Sequence, residues 1–169
     1  YASEWNFGQV SGNVTWSVGQ EFLNNQWHRS DLAYFQINNT FGNYFNLNYS
    51  NYEPNKIFLQ SNIWVNAYVS HRYLPFDYQV ANLNAGFWGK LKNQYWANYY
   101  MNIRPMENDF YESRDGSKFV KPASYQGGIN MGTDDRKKIY SYFYVGLYKN
   151  NKWSTSAIDL IAEPTFRIN

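Results

Sequence analysis

Apolar and polar side chains alternate residue by residue along most of this chain, and that period of two commits it to β-strands. Within residues 95–104, Tyr95, Ala97, Tyr99, Met101 and Ile103 share one face, while Trp96, Asn98, Tyr100, Asn102 and Arg104 share the other. Phe45, Leu47 and Tyr49 alternate with Asn46, Asn48 and Ser50. Tyr125, Ile129 and Met131 oppose Gln126 and Asn130. From residue 139 the odd positions hold Ile139, Phe143, Val145 and Leu147, and the even ones Tyr140, Tyr142, Tyr144 and Tyr148. No stretch repeats its apolar residues at the helical spacing, and Tyr, Phe, Trp, Val, Ile and Thr all favour strands.

Turn signals divide these runs. Gly42-Asn43-Tyr44 reads as a tight turn after Phe41. Residues 90–94, the charged segment 133–138 and residues 149–152 read as further turns, and Glu163-Pro164 as the stop of the last strand. Residues 57–70 fit one long strand. One connection, residues 104–122, is much longer and holds most of the clustered charge. Eight or nine strands are expected.

Two all-β architectures share this pattern, a soluble β-sandwich and a membrane barrel. Aromatic residues make up 21% of the chain, yet mean hydropathy is −0.67, because Asn, Ser and Gln separate them. No run approaches the ~18 apolar residues of a transmembrane helix. A barrel hides its apolar surface in alternation, so that absence leaves it open. Several runs of about 9–11 residues match the length that crosses a bilayer at a tilt, against ~5–6 for typical sandwich strands. Trp88, Tyr95, Trp96, Tyr148 and Trp153 fall near strand ends, where an aromatic girdle meets lipid headgroups. The expectation is an antiparallel transmembrane β-barrel, or part of one, as a single unit over residues 1–169. Bacterial barrels have even strand numbers, so nine strands, with a start at Tyr1 and an end at Ile168-Asn169, predict a segment of a larger barrel protein.

The second half carries recognisable motifs. Tyr111-Glu112-Ser113-Arg114-Asp115-Gly116, then Lys121-Pro122-Ala123-Ser124-Tyr125, then Thr133-Asp134-Asp135-Arg136-Lys137-Lys138, resembles the barrel region of the DUF5916 family. Gly89-Lys90-Leu91-Lys92-Asn93-Gln94-Tyr95-Trp96 is similar to that family's Phe-Lys-Asn-Tyr-Trp turn. The resemblance covers residues 85–164 and departs at Asp115-Gly116-Ser117, where the family's Gly-Gly-Pro is not intact. It implies an outer-membrane protein of Bacteroidota, often fused to an N-terminal carbohydrate-binding module of the family 9 type, and implies no activity.

Catalytic signatures are lacking. There is no cysteine, so thiolate chemistry and disulfides are excluded. The net charge of +2 is scattered, unlike the basic patch of a nucleic-acid binder. His28 and His71 stand alone, outside any metal-ligand spacing, and read as structural or surface residues. No nucleophile elbow or phosphate-binding glycine loop occurs. Glu107, Asp109, Glu112 and Asp115 crowd the long connection, but Arg104, Arg114, Lys118 and Lys121 offset them, which reads as a solvated loop with ion pairs. Arg104, Asp109, Glu112 and Arg114 are the ligand-binding candidates there. No metal or cofactor is expected. Expected partners are outer-membrane lipid, other outer-membrane proteins and glycan, with exposed aromatics available to stack on sugar rings. The expected role is that of an outer-membrane scaffold, pore or transporter linked to glycan handling; the alternatives are a soluble β-sandwich that binds carbohydrate and an outer-membrane hydrolase using the acidic loop.

Overall fold

The computed structural model describes residues 1–26, 38–111, 117–151 and 155–168. Every regular element among them is a strand. They are β1 (Ala2–Gln9), β2 (Val14–Leu23), β3 (Thr40–Asn51), β4 (Phe58–Arg72), β5 (Asp77–Leu91), β6 (Trp96–Arg104), β7 (Glu107–Asp109), β8 (Phe119–Lys121), β9 (Ser124–Gly132), β10 (Ile139–Asn150) and β11 (Thr155–Phe166). Nine of them form one antiparallel meander in the order β1-β2-β3-β4-β5-β6-β9-β10-β11, and β7 pairs only with β8.

The sheet is open. An antiparallel meander of nine strands leaves its two edges, β1 and β11, running in the same direction, so they cannot pair antiparallel with each other. The expected barrel is therefore present only as a large antiparallel sheet. Connections at one end are short: residues 10–13, 52–57, 92–95 and 133–138. At the other end, 73–76 and 151–154 are short but 24–39 and 105–123 are long.

Cross-strand pairs share a face, so the register sorts the side chains. One row runs Val14, Tyr49, Ile63, Phe87, Tyr99, Ile129, Val145, Leu160, one residue from each strand of the sheet after β1. The next row on that face is Trp16, Leu47, Val65, Ala85, Met101, Gly127, Leu147, Ile158. The faces expected for residues 45–50, 95–104, 125–131 and 139–148 are those observed.

Nothing among the described residues covers this apolar face. No apolar side chain among the described residues is buried, and Leu160 is 73% exposed. The enclosed side chains are polar: Thr40, Ser50, Ser70, Gln79, Asn108, Asp134 and Asn150. That inverts the usual arrangement of a water-soluble domain.

Four boundaries differ from expectation. Gly42, Asn43 and Tyr44 form no turn; they lie inside β3, paired with Ser70, Val69 and Tyr68. A methyl on Gly42 would fall 2.7 Å from Glu21 Oε1 and 2.9 Å from the Tyr68 hydroxyl, so the glycine makes room for neighbours rather than a bend. Glu163 and Pro164 do not stop β11, which continues to Phe166. In the described sheet the backbone nitrogen of Pro164 faces away from β10, so the missing N–H breaks no bond of the β10–β11 ladder. Lys90 and Leu91 still belong to β5, as Lys149 and Asn150 do to β10. The long connection contains the β7–β8 hairpin.

Candidate functional site

The face opposite the apolar one carries amides and aromatic rings. Its central row is Ser17, Asn46, Asn66, Asn84, Asn102, Gln126, contributed by β2 to β6 and β9 in turn. A neighbouring row is Asn48, Trp64, Gly86, Tyr100, Gly128. The amides bond laterally. Asn46 Nδ2 donates to Ser17 Oγ at 3.1 Å. Asn62 Nδ2 donates to Asn48 Oδ1 at 2.7 Å and to Ser50 Oγ at 2.8 Å. Asn102 Nδ2 donates to the carboxamide oxygens of Asn82, at 3.1 Å, and Asn84.

Aromatic rings on this face lie over glycines: Tyr44 over Gly19, Trp64 over Gly86, Tyr100 over Gly128 and Trp96 over Gly132. A ring covering a glycine lies down on the sheet and fills the gap left by the missing side chain. From β3 to β9 the strand positions of this face hold charge only near the ends, at Lys90 on one side and at Arg72, Asp77 and Arg104 on the other.

The β7–β8 hairpin packs on the same face at the end with the long connections. The Tyr111 hydroxyl donates to the carbonyl of Asn38, accepts from Gln79 Nε2 at 3.2 Å and lies 3.4 Å from Thr40 Oγ1. Gln79 Oε1 accepts from Ser70 Oγ at 2.9 Å. Asn108 Nδ2 donates to the Tyr78 carbonyl at 2.8 Å, and the Arg72 guanidinium sits 4.2 Å above the Phe110 ring.

The residues singled out in the sequence separate. Arg104 ends β6 exposed and makes no ion pair among the described residues. Asp109 lies in β7, accepting from Lys121 Nζ at 2.6 Å and from the Tyr111 amide at 2.8 Å. Glu107 is 3.4 Å from the same ammonium, which meets the expectation of loop ion pairs. The Asp109 hydrogen bond, with Glu107 beside it, holds the Lys121 ammonium above the ordinary lysine range. Glu112, Asp115, Arg114, His28 and Trp153 lie outside the described residues. Among the aromatics, Tyr95 shares the apolar face, just before β6, while Trp88, Trp96 and Tyr148 belong to the amide face. The girdle reading thus rests on Tyr95 among the described residues. His71 stacks on Phe76 with centroids 4.8 Å apart, a packing role. No group of three or more His, Asp or Glu side chains converges among the described residues.

Sequence reasoning overlooked Tyr111, Gln79 and Ser70 as a latch, and the in-register amide row. The row did leave a signal. Asn46, Asn66, Asn84 and Asn102 recur every 18–20 residues, the repeat of one strand plus its turn in a meander. The latch left none, since it joins residues far apart in sequence.

A family model described as a domain of unknown function, DUF5916, matches residues 1–169. No curated protein and no solved structure matches the chain.

Proposed function

This chain belongs to the DUF5916 family, and from that premise we propose that its sheet is a segment of an integral β-barrel in a bacterial outer membrane. The apolar face meets lipid and the amide face lines the lumen, so the segment serves as the wall of a pore or a scaffold. Further strands join the β1 and β11 edges and close the wall.

The observation that carries this reading is the uncovered apolar face. Eight strands at ~4.8 Å spacing make it about 34 Å wide. Tyr95 to Ile103 spans eight residue steps, about 27 Å at ~3.4 Å each. The product, about 900 Å², exceeds the ~300–600 Å² of the largest apolar patch on a typical soluble monomer. A second sheet could bury such a face, but the described residues supply none. Lipid suits the remaining features. Charge on the apolar strand face is confined to Lys149, at the end of β10. Strands of 8–15 residues are long enough for most of them to span at a tilt. Short connections at one end and long ones at the other match periplasmic turns and outer loops. In hydrocarbon the free backbone groups of β1 and β11 would be costly, which supports closure by additional strands.

The test is reconstitution of the full-length protein. It is expected to float with liposomes after an alkaline wash and to migrate faster unheated than boiled. A folded, monodisperse protein obtained in water without detergent would overturn the proposal.

A further inference from the structure

We propose that the amide face holds a binding site for a neutral oligosaccharide, centred on Trp64 and Asn66. The inference deepens the barrel reading by naming what the lumen takes. It starts from a depression of about 810 Å³ where β1 to β4 meet on that face. That volume is ample for one or two sugar rings.

The chemistry of the lining narrows the ligand. All thirteen lining residues are uncharged, and Phe7, Gln9, Trp16 and Leu47 among them belong by register to the apolar face. Asn46, Asn48, Asn66, Thr15 and Ser17 supply amides and hydroxyls that both donate and accept, as sugar hydroxyls do. An anion or a cation would find no opposite charge there. A purely apolar ligand would strip water from those groups and return no hydrogen bonds.

Two further features favour a sugar ring. Trp64 lies on the sheet, so close that a methyl on Gly86 would fall 2.1 Å from its Cζ2. With one ring face against the sheet, the other is left as a flat apolar platform of the kind that matches the C–H face of a pyranose. Beside it, some polar groups have no other work. The Asn66 carboxamide and the Thr15 hydroxyl make no side-chain hydrogen bond among the described residues, whereas Asn46 spends its Nδ2 on Ser17. Asn66 stands one strand from Asn46 in the amide row, and two residues from Trp64, so the platform and the free amide lie on one side of one strand.

The experiment uses full-length protein in detergent micelles, titrated with maltohexaose, cellohexaose, xylohexaose and laminarihexaose by tryptophan fluorescence and calorimetry. At least one should bind saturably. Trp64→Ala should weaken it at least tenfold and Asn66→Ala severalfold, while Trp64→Phe retains most of the affinity. Hexagalacturonate, of like size but charged, should bind at least tenfold more weakly. The site is overturned if none of the four neutral sugars binds, if Trp64→Ala and Asn66→Ala bind unchanged, or if hexagalacturonate binds as tightly. Flotation of the same preparations separates the two ideas. Protein that floats but binds no sugar overturns the site alone; protein that binds but does not float overturns the membrane reading alone.

Discussion

The hydroxyls of Tyr100 and Tyr144 meet 2.8 Å apart, reaching toward each other across the strand β9 that separates their own. They meet because position 128 is glycine. A methyl there would fall 2.8 Å from Tyr100 Cε1, 2.9 Å from Tyr144 Cε2 and 2.9 Å from the Val145 carbonyl. Rings can swing, but the carbonyl is fixed in the ladder. Gly128→Ala is therefore expected to destabilise the protein by about 1–3 kcal/mol through overpacking. Tyr100→Phe, which removes one partner of the hydroxyl pair, should cost about 1 kcal/mol. Urea unfolding of the full-length protein in detergent measures both. The double variant should cost less than the sum, because the substitution at Gly128 already parts the hydroxyls.

The two faces should respond oppositely to one substitution. Ile129 sits mid-row on the apolar face, and Asn98 on the amide face of the neighbouring strand. In a bilayer, Ile129→Lys should cost about 2–4 kcal/mol, the penalty for a cation at lipid depth on a barrel exterior. Asn98→Lys should cost under about 1 kcal/mol, since its head can reach water. Folding yield into vesicles, read by the shift in unheated migration, compares them. Equal costs would remove the lipid-facing assignment.

The contrast between those two residues was legible in the sequence, since the alternation of Tyr99 and Ile129 with Asn98 and Asn130 assigns faces without any structure. What alternation cannot do is tell one use of glycine from another. Gly42 has the signature of a turn and instead makes room for Glu21 and Tyr68, because a missing side chain serves a bend and a close approach alike. Position along the strands marks Trp88 and Trp96 as girdle residues, although parity alone puts them with Asn62 and Gly132 on the amide face. The β7–β8 hairpin was hidden for a different reason. Its three-residue strands show no period, and it is held by Lys121, Asp109 and Tyr111 acting across sequence separations that local reading does not reach.

The Tyr111 latch gives the third prediction. Its hydroxyl joins the connection before β3, through the Asn38 carbonyl, to Gln79 on β5. Tyr111→Phe keeps the ring and removes every one of those bonds, so about 1–2 kcal/mol of local stability should be lost. Hydrogen exchange at residues 107–110 is expected to accelerate about tenfold, the equivalent of ~1.4 kcal/mol, while the melting of the sheet stays unchanged. A fall in global melting of the size seen for Gly128→Ala would mean that the hairpin is part of the sheet's own folding unit.

The turn between β9 and β10 yields a prediction in pH. Asp134 accepts both Nε and Nη2 of Arg136 at 2.8 Å, and the Arg136 amide at 3.1 Å. These bonds, the side-chain pair foremost, favour the carboxylate and lower its pKa from 3.8 to about 2. A carboxyl whose folded pKa is depressed contributes its stabilisation above the unfolded pKa and loses it as pH falls through the folded one. The turn should hence keep its structure from neutrality down to about pH 4 and loosen between about pH 4 and 2. The carboxyl carbon resonance of Asp134, followed by NMR, should titrate with a midpoint near 2 in the natural sequence and move back toward 3.8 in Arg136→Gln. An unmoved midpoint in that variant would show that the backbone amide, and not the guanidinium, holds the carboxylate.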